Sequence, residues 1–118
     1  MRSSSRLFLL FILVVNISST LFADDIKGLL FNGNCTTCHF INRSVSAPSI
    51  KEIQKVYKNG FSTKKEFVKY MSNWVLKPNK EGSLMDYAIK KYGLMPELAF
   101  DEESVIEITE YIYDLDIK

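Results

Sequence analysis

The only two cysteines and the only histidine of this 118-residue chain fall within five consecutive positions, Cys35-Thr36-Thr37-Cys38-His39. Nothing else in the sequence restricts the fold as strongly. Two thiols three positions apart lie on one side of a helical turn, and the next residue projects its imidazole beside them. C-x-x-C-H is the attachment pattern of c-type haem. Both sulfurs can add to the two vinyl groups of one porphyrin, and the imidazole can bind its iron. The expected cofactor is therefore one covalent haem c with its iron, attached through Cys35 and Cys38 and ligated by His39.

Three other readings compete. A C-x-x-C redox pair belongs near a strand-helix-strand pattern, and the sequence shows no strand of that kind. A structural zinc site needs four ligands, and no second Cys/His cluster exists. The third is chance occurrence. Two Asn-x-Ser/Thr triplets, at Asn34 and Asn42, overlap the same region and read as coincidence.

The chain opens MRSSSRLFLLFILVVNISSTLFA. Arg2 and Arg6 precede an apolar run from Leu7 to Val15, followed by a polar patch and Ala23. That order is the order of a secretory signal peptide, and the run is shorter than a spanning helix requires. Residues 1–23 are thus expected to be a leader and 24–118 the mature, periplasmic domain. Leu21 is larger than the small residue favoured three positions before the cut, and an uncleaved membrane anchor is the alternative. Without Arg2 and Arg6 the chain carries 13 basic and 14 acidic residues, a formal charge of −1. A nucleic-acid binder would carry a basic excess. A domain this small buries a limited core and gains from a covalent staple.

The remainder reads as four to five short helices, an all-α domain. Residues 24–34 place Ile26, Leu30 and Phe31 on one side, with Gly33 as the expected stop. Ser49 and Glu52 form a capping box before a helix carrying Ile50, Ile53, Val56 and Tyr57, with Gly60 as a left-handed stop. Ser62 or Thr63 with Glu66 opens the next helix, whose stripe is Phe67, Tyr70, Met71 and Trp74. Pro78 forbids much extension. A third stripe holds Leu84, Met85, Ala88, Ile89 and Tyr92 and ends at Gly93. Asp101 caps a final helix whose face is Val105, Ile108, Ile112 and Leu115.

With one histidine, the second axial position of an iron would fall to a methionine, a lysine or nothing. Met71 and Met85 sit in helical stripes, where methionine usually fills core space. Met95 lies between Gly93 and Pro96, and the proline biases it towards an extended backbone. Met95 is the expected sixth ligand, with Met85 and Met71 as alternatives.

Placed together, these stretches resemble a class I c-type cytochrome, the small monohaem family of bacterial exported electron carriers. The likeness runs through Phe31, "CTTCH", "APS" at 47–49, "LMPEL" at 94–98 and "VIEITEYIYDL" at 105–115. It implies a cytochrome c-like bundle around the haem, with the first and last helices crossing at Phe31 and Tyr111. It also implies that the carbonyl of Pro48 accepts the hydrogen bond of the axial imidazole; as an ordinary helix-start residue, Pro48 needs no such role. In two places the chain departs from the family: Lys27 stands where glycine is common, with Gly28 one step later, and Ala47 replaces the usual glycine before the loop proline.

The resemblance implies a monomeric carrier that shuttles single electrons between a donor and an acceptor protein and associates peripherally with membrane redox complexes. No nucleic-acid partner and no enzymatic activity are expected. The alternatives are a haem-based binder or sensor of small ligands with a labile sixth position, and a haem subunit of a larger redox complex. Trp74 reads as core rather than as a hydrogen-bond donor to the cofactor. Lys51, Lys55, Lys58, Lys64, Lys65 and Lys69 read as a solvated face, or as a docking patch for an acidic redox partner.

Overall fold

A computed structural model describes residues 8–12 and 25–118. The expected leader, including Ala23, lies outside the described residues except for 8–12, which are helical. Five helices follow: α1 (25–34), α2 (Ile50–Gly60), α3 (Lys64–Leu76), α4 (Asp86–Tyr92) and α5 (Glu102–Asp114). No strand occurs among the described residues, so the chain is all-α as expected. No described helix is long and apolar enough to cross a membrane.

Helix starts follow the local chemistry. Thr63 and Glu66 close a complete capping box on α3, satisfying backbone donors that a helix leaves open at its first turn. Asp101 Oδ1 accepts the Ser104 N–H at 2.9 Å and caps α5. At α2 the box is half-made. Ser49 Oγ accepts the Glu52 N–H at 3.2 Å, but Ser44 Oγ, not Glu52, accepts the Ser49 N–H at 2.9 Å. The Glu52 carboxylate is occupied elsewhere.

Two expected glycine stops are corrected. Gly33 lies inside α1, and Gly60 is the last residue of α2 but not a left-handed one, since neither has positive φ. The cap of α2 is Phe61, extended in backbone, whose N–H donates to Tyr57 O. α1 runs on because the turn after it supplies further backbone donors, described below. Only Gly93 takes the role expected of it, with φ 88° and ψ 170° at the end of α4. That backbone region is open almost solely to glycine. Gly93→Ala should therefore destabilise the domain by about 1–3 kcal/mol, read as a lowered thermal midpoint. Leu84 is also corrected. It precedes α4 and is partly exposed, while Met85 occupies the N-cap position and is buried.

The core is where the expected stripes meet. Phe31, Ile50, Phe67, Met71, Val105 and Ile108 are buried. Tyr57 of α2, Phe67 and Tyr70 of α3 and Tyr113 of α5 form an aromatic layer with ring centroids 5.1–6.3 Å apart. Such pairs contribute about 0.5–1.5 kcal/mol each beyond area burial. Gln54 of α2 donates to the carbonyls of Ile112 and Leu115, both at 2.7 Å, and so closes the C-terminal end of α5. No described buried side-chain polar atom lacks a hydrogen-bond partner.

α1 crosses α5 at Gly28. A Cβ there would stand 3.4 Å from the Tyr111 ring. One turn on, Phe31 packs on Tyr111 with centroids 5.2 Å apart. Lys27 instead makes an ion pair with Glu110. The close approach thus uses the glycine one step later in the chain.

Candidate functional site

The C-x-x-C-H stretch continues α1 as a further turn. The Cys35 N–H donates to Phe31 O at 2.9 Å, and the His39 N–H donates to Cys35 O at 2.9 Å. Thr36 adds its hydroxyl to Asn32 O at 2.8 Å. The chain then loops through 40–49 and returns, because the start of α2 needs acceptors. The Ile50 and Lys51 N–H groups donate to Phe40 O and Ile41 O, each at 3.0 Å. This closure brings Pro48 beside His39.

His39 Nδ1 lies 2.7 Å from Pro48 O. A carbonyl oxygen can only accept, so Nδ1 carries the proton. In the neutral ring the lone pair is then on Nε2, the nitrogen left free to act as a ligand. The loop contact decides the tautomer as well as the orientation of the ring.

Cys35 is half-buried, Cys38 is exposed, and both are free thiols. Burial pushes the Cys35 thiol up to about 11. It is therefore protonated at neutral pH. Reactive redox cysteines have lowered values instead, so this microenvironment disfavours the redox-pair reading. Among the described residues no group of three or more His, Cys, Asp or Glu side chains could hold a free metal ion, which disfavours zinc.

Cys35, Cys38, His39, Pro48 and Met95 all line one cavity of ≈ 300 Å³. This is the lower end of the range for small-molecule sites. Its walls come from α2 (Ile53, Tyr57), α3 (Met71, Val75), α4 (Ala88, Ile89) and α5 (Ile108, Ile112). Met71 and Met85 line it as well, so all three candidate thioethers reach the same space. They differ in setting. Met71 lies within α3 and Met85 at the start of α4, both buried, while Met95 is half-buried on the irregular segment between α4 and α5.

Trp74 is half-buried at the cavity wall and donates its ring N–H to Asn79 O at 2.9 Å. Its hydrogen bond serves the loop after α3. Tyr70 pins the same loop by donating to Gly82 O at 2.9 Å.

The lysine face is partly engaged. Lys64 pairs with Asp114, Lys51 donates to Lys118 O at 3.0 Å, and Lys58 lies over the Tyr113 ring at 4.8 Å. Lys55, Lys65 and Lys69 are exposed.

Sequence reasoning did not single out Ser44 or Tyr87. Both bond to Glu52, at 3.1 Å and 2.7 Å respectively. Neither has a local signal, since Tyr87 is 35 positions from its partner.

Taken together, the site offers two thiols, one imidazole nitrogen and thioether sulfurs around an apolar space enclosed by helices. Compared with known proteins, the chain matches no family model, no curated protein and no solved structure.

Proposed function

We propose that this chain is an exported monohaem c-type cytochrome with a class I fold, passing single electrons between redox proteins. The observation that carries the reading is the imidazole of His39. Its Nδ1 proton is committed to Pro48 O, and its ring opens into the same apolar cavity as both thiols of the C-x-x-C pair.

The residues present fit the group. Cys35 and Cys38 would hold a haem by two thioethers, and His39 Nε2 and Met95 Sδ would bind its iron. The bound iron would supply the one-electron redox chemistry. The chain does the rest. The Pro48 carbonyl keeps His39 in the ligating tautomer through the redox cycle. Ile53, Val75, Ile89 and Ile108 give the cavity apolar walls, and an apolar surround disfavours added positive charge. A methionine thioether bound alongside the histidine would favour the reduced iron and raise the potential. The crossing of α1 and α5 at Gly28, Phe31 and Tyr111 is further support for the class I fold.

The test is a visible spectrum with an intact mass on exported protein. The expected result is a haem spectrum that survives acid denaturation, and a mass one haem above the mature polypeptide. Colourless protein at the mass of bare polypeptide would refute the reading. The same mass would locate the N-terminus and so decide between a cut after Ala23 and a retained anchor.

A further inference from the structure

We propose that Glu52 and Tyr87 form a latch that positions α4, and through it the Met95 segment, over the cavity that His39 lines. The inference rests on the proposed function for its consequence at Met95, but the latch itself rests on hydrogen bonds within the chain.

α2, α3 and α5 approach one another at backbone level, whereas α4 makes no such approach to any of the three. The cavity lies between. Ala88 and Ile89 of α4 line it, as do Val75 of α3 and Ile108 of α5. α4 reaches the core through side chains instead, with Met85 and Ala88 buried and Tyr92 packed against the core, so a further attachment adds to its hold. α4 is also flanked by glycines, Gly82 before it and the positive-φ Gly93 after it.

Tyr87 supplies an attachment. Its hydroxyl donates to Glu52 Oε1 at 2.7 Å, joining α4 to α2. Burial and the neighbouring Glu52 carboxylate push the phenol up to about 12, so it remains a proton donor across the physiological range. The other carboxylate oxygen accepts the Ser44 hydroxyl at 3.1 Å. Ser44 Oγ in turn accepts the Ser49 N–H, and Ser49 follows the residue whose carbonyl holds His39. One carboxylate thus ties the α4 wall to the loop that orients the imidazole. Neither Glu52 nor Tyr87 lines the cavity. Both are positioning residues.

Hydrogen exchange on the purified full-length protein tests this, comparing wild type, Tyr87→Phe, Glu52→Ala and Glu52→Gln. The amides of Ile89 and Gly93, which donate to Met85 O and Ile89 O, report on α4. Loss of a half-exposed hydrogen bond to a carboxylate should speed their exchange about 3- to 10-fold in Tyr87→Phe and Glu52→Ala. Amides of α5 should be unchanged. Glu52→Gln keeps an oxygen facing Tyr87 and should stay close to wild type. In the oxidised haem protein, the weak red-end absorption of a ligated methionine should disappear at lower temperature in the two latch-breaking variants. Equal acceleration in α4 and α5, or none in either, overturns the latch. A protein that carries no haem would overturn the proposed function, while the α4 exchange comparison would still decide the latch.

Discussion

Cys35→Ala combined with Cys38→Ala should give an exported chain with no acid-stable colour and little folded protein. The reason is the position of the cavity as much as the lost bonds. Its ≈ 300 Å³ lie among α2, α3, α4 and α5, with core residues Ile108 and Met71 in its walls. An unfilled apolar cavity costs about 24 cal/mol per Å³, which would be about 7 kcal/mol here if it stayed dry. Water entering through the mouth lowers that figure. It is still comparable to the whole stability of a small domain, about 5–15 kcal/mol. Circular dichroism and thermal unfolding of the double variant should show much reduced helicity and no cooperative transition. The single variants should retain one thioether and an intermediate midpoint. A double variant that folds as well as the wild type would mean that the cavity does not need its occupant.

Met95→Ala should leave the haem attached and change its electronics. The weak red-end absorption of the oxidised form should vanish, carbon monoxide should bind the reduced form readily, and the potential should fall. The fall should be on the order of a few tenths of a volt, within the roughly 0.8 V that axial ligands command. Met71→Ala and Met85→Ala provide the contrast. Both side chains are buried, at 2% and 6% exposure, so their truncation should cost about 2–5 kcal/mol of stability and leave the absorption in place. If Met85→Ala or Met71→Ala erases the band and Met95→Ala does not, the ligand has been misassigned. If wild-type protein itself lacks the band and binds carbon monoxide, the small-ligand binder becomes the better reading.

Much of the local structure was legible because its causes are local. Thr63 and Glu66 are three residues apart, and their reciprocal bonds need no tertiary partner. Asp101 caps α5 from three residues away. The stripe of Val105, Ile108 and Ile112 needs only the helical repeat to be recognised, and all three are buried. Local rules misled where a neighbour in space supplied what the rule assumed to be missing. The Ser49–Glu52 box is half-made because Ser44 takes the Ser49 N–H and Tyr87 competes for the carboxylate. Glycine often ends helices, which makes Gly33 an expected stop. It lies instead within α1, which the C-x-x-C-H turn extends through the Cys35 and His39 N–H groups.

For the candidate site, the sequence alone determined which groups stand together: Cys35, Cys38 and His39 lie within five positions, a spacing that puts them on one turn once the backbone coils there. Pro96 marked Met95 as a residue outside helical packing. Only the tertiary structure decided that Pro48 O meets His39 Nδ1, that Met95 shares a cavity with both thiols, and that Glu52 bridges the two sides. These juxtapositions join residues 8 to 60 positions apart. Their geometry depends on how five amphipathic helices divide one core, and no local preference encodes that division.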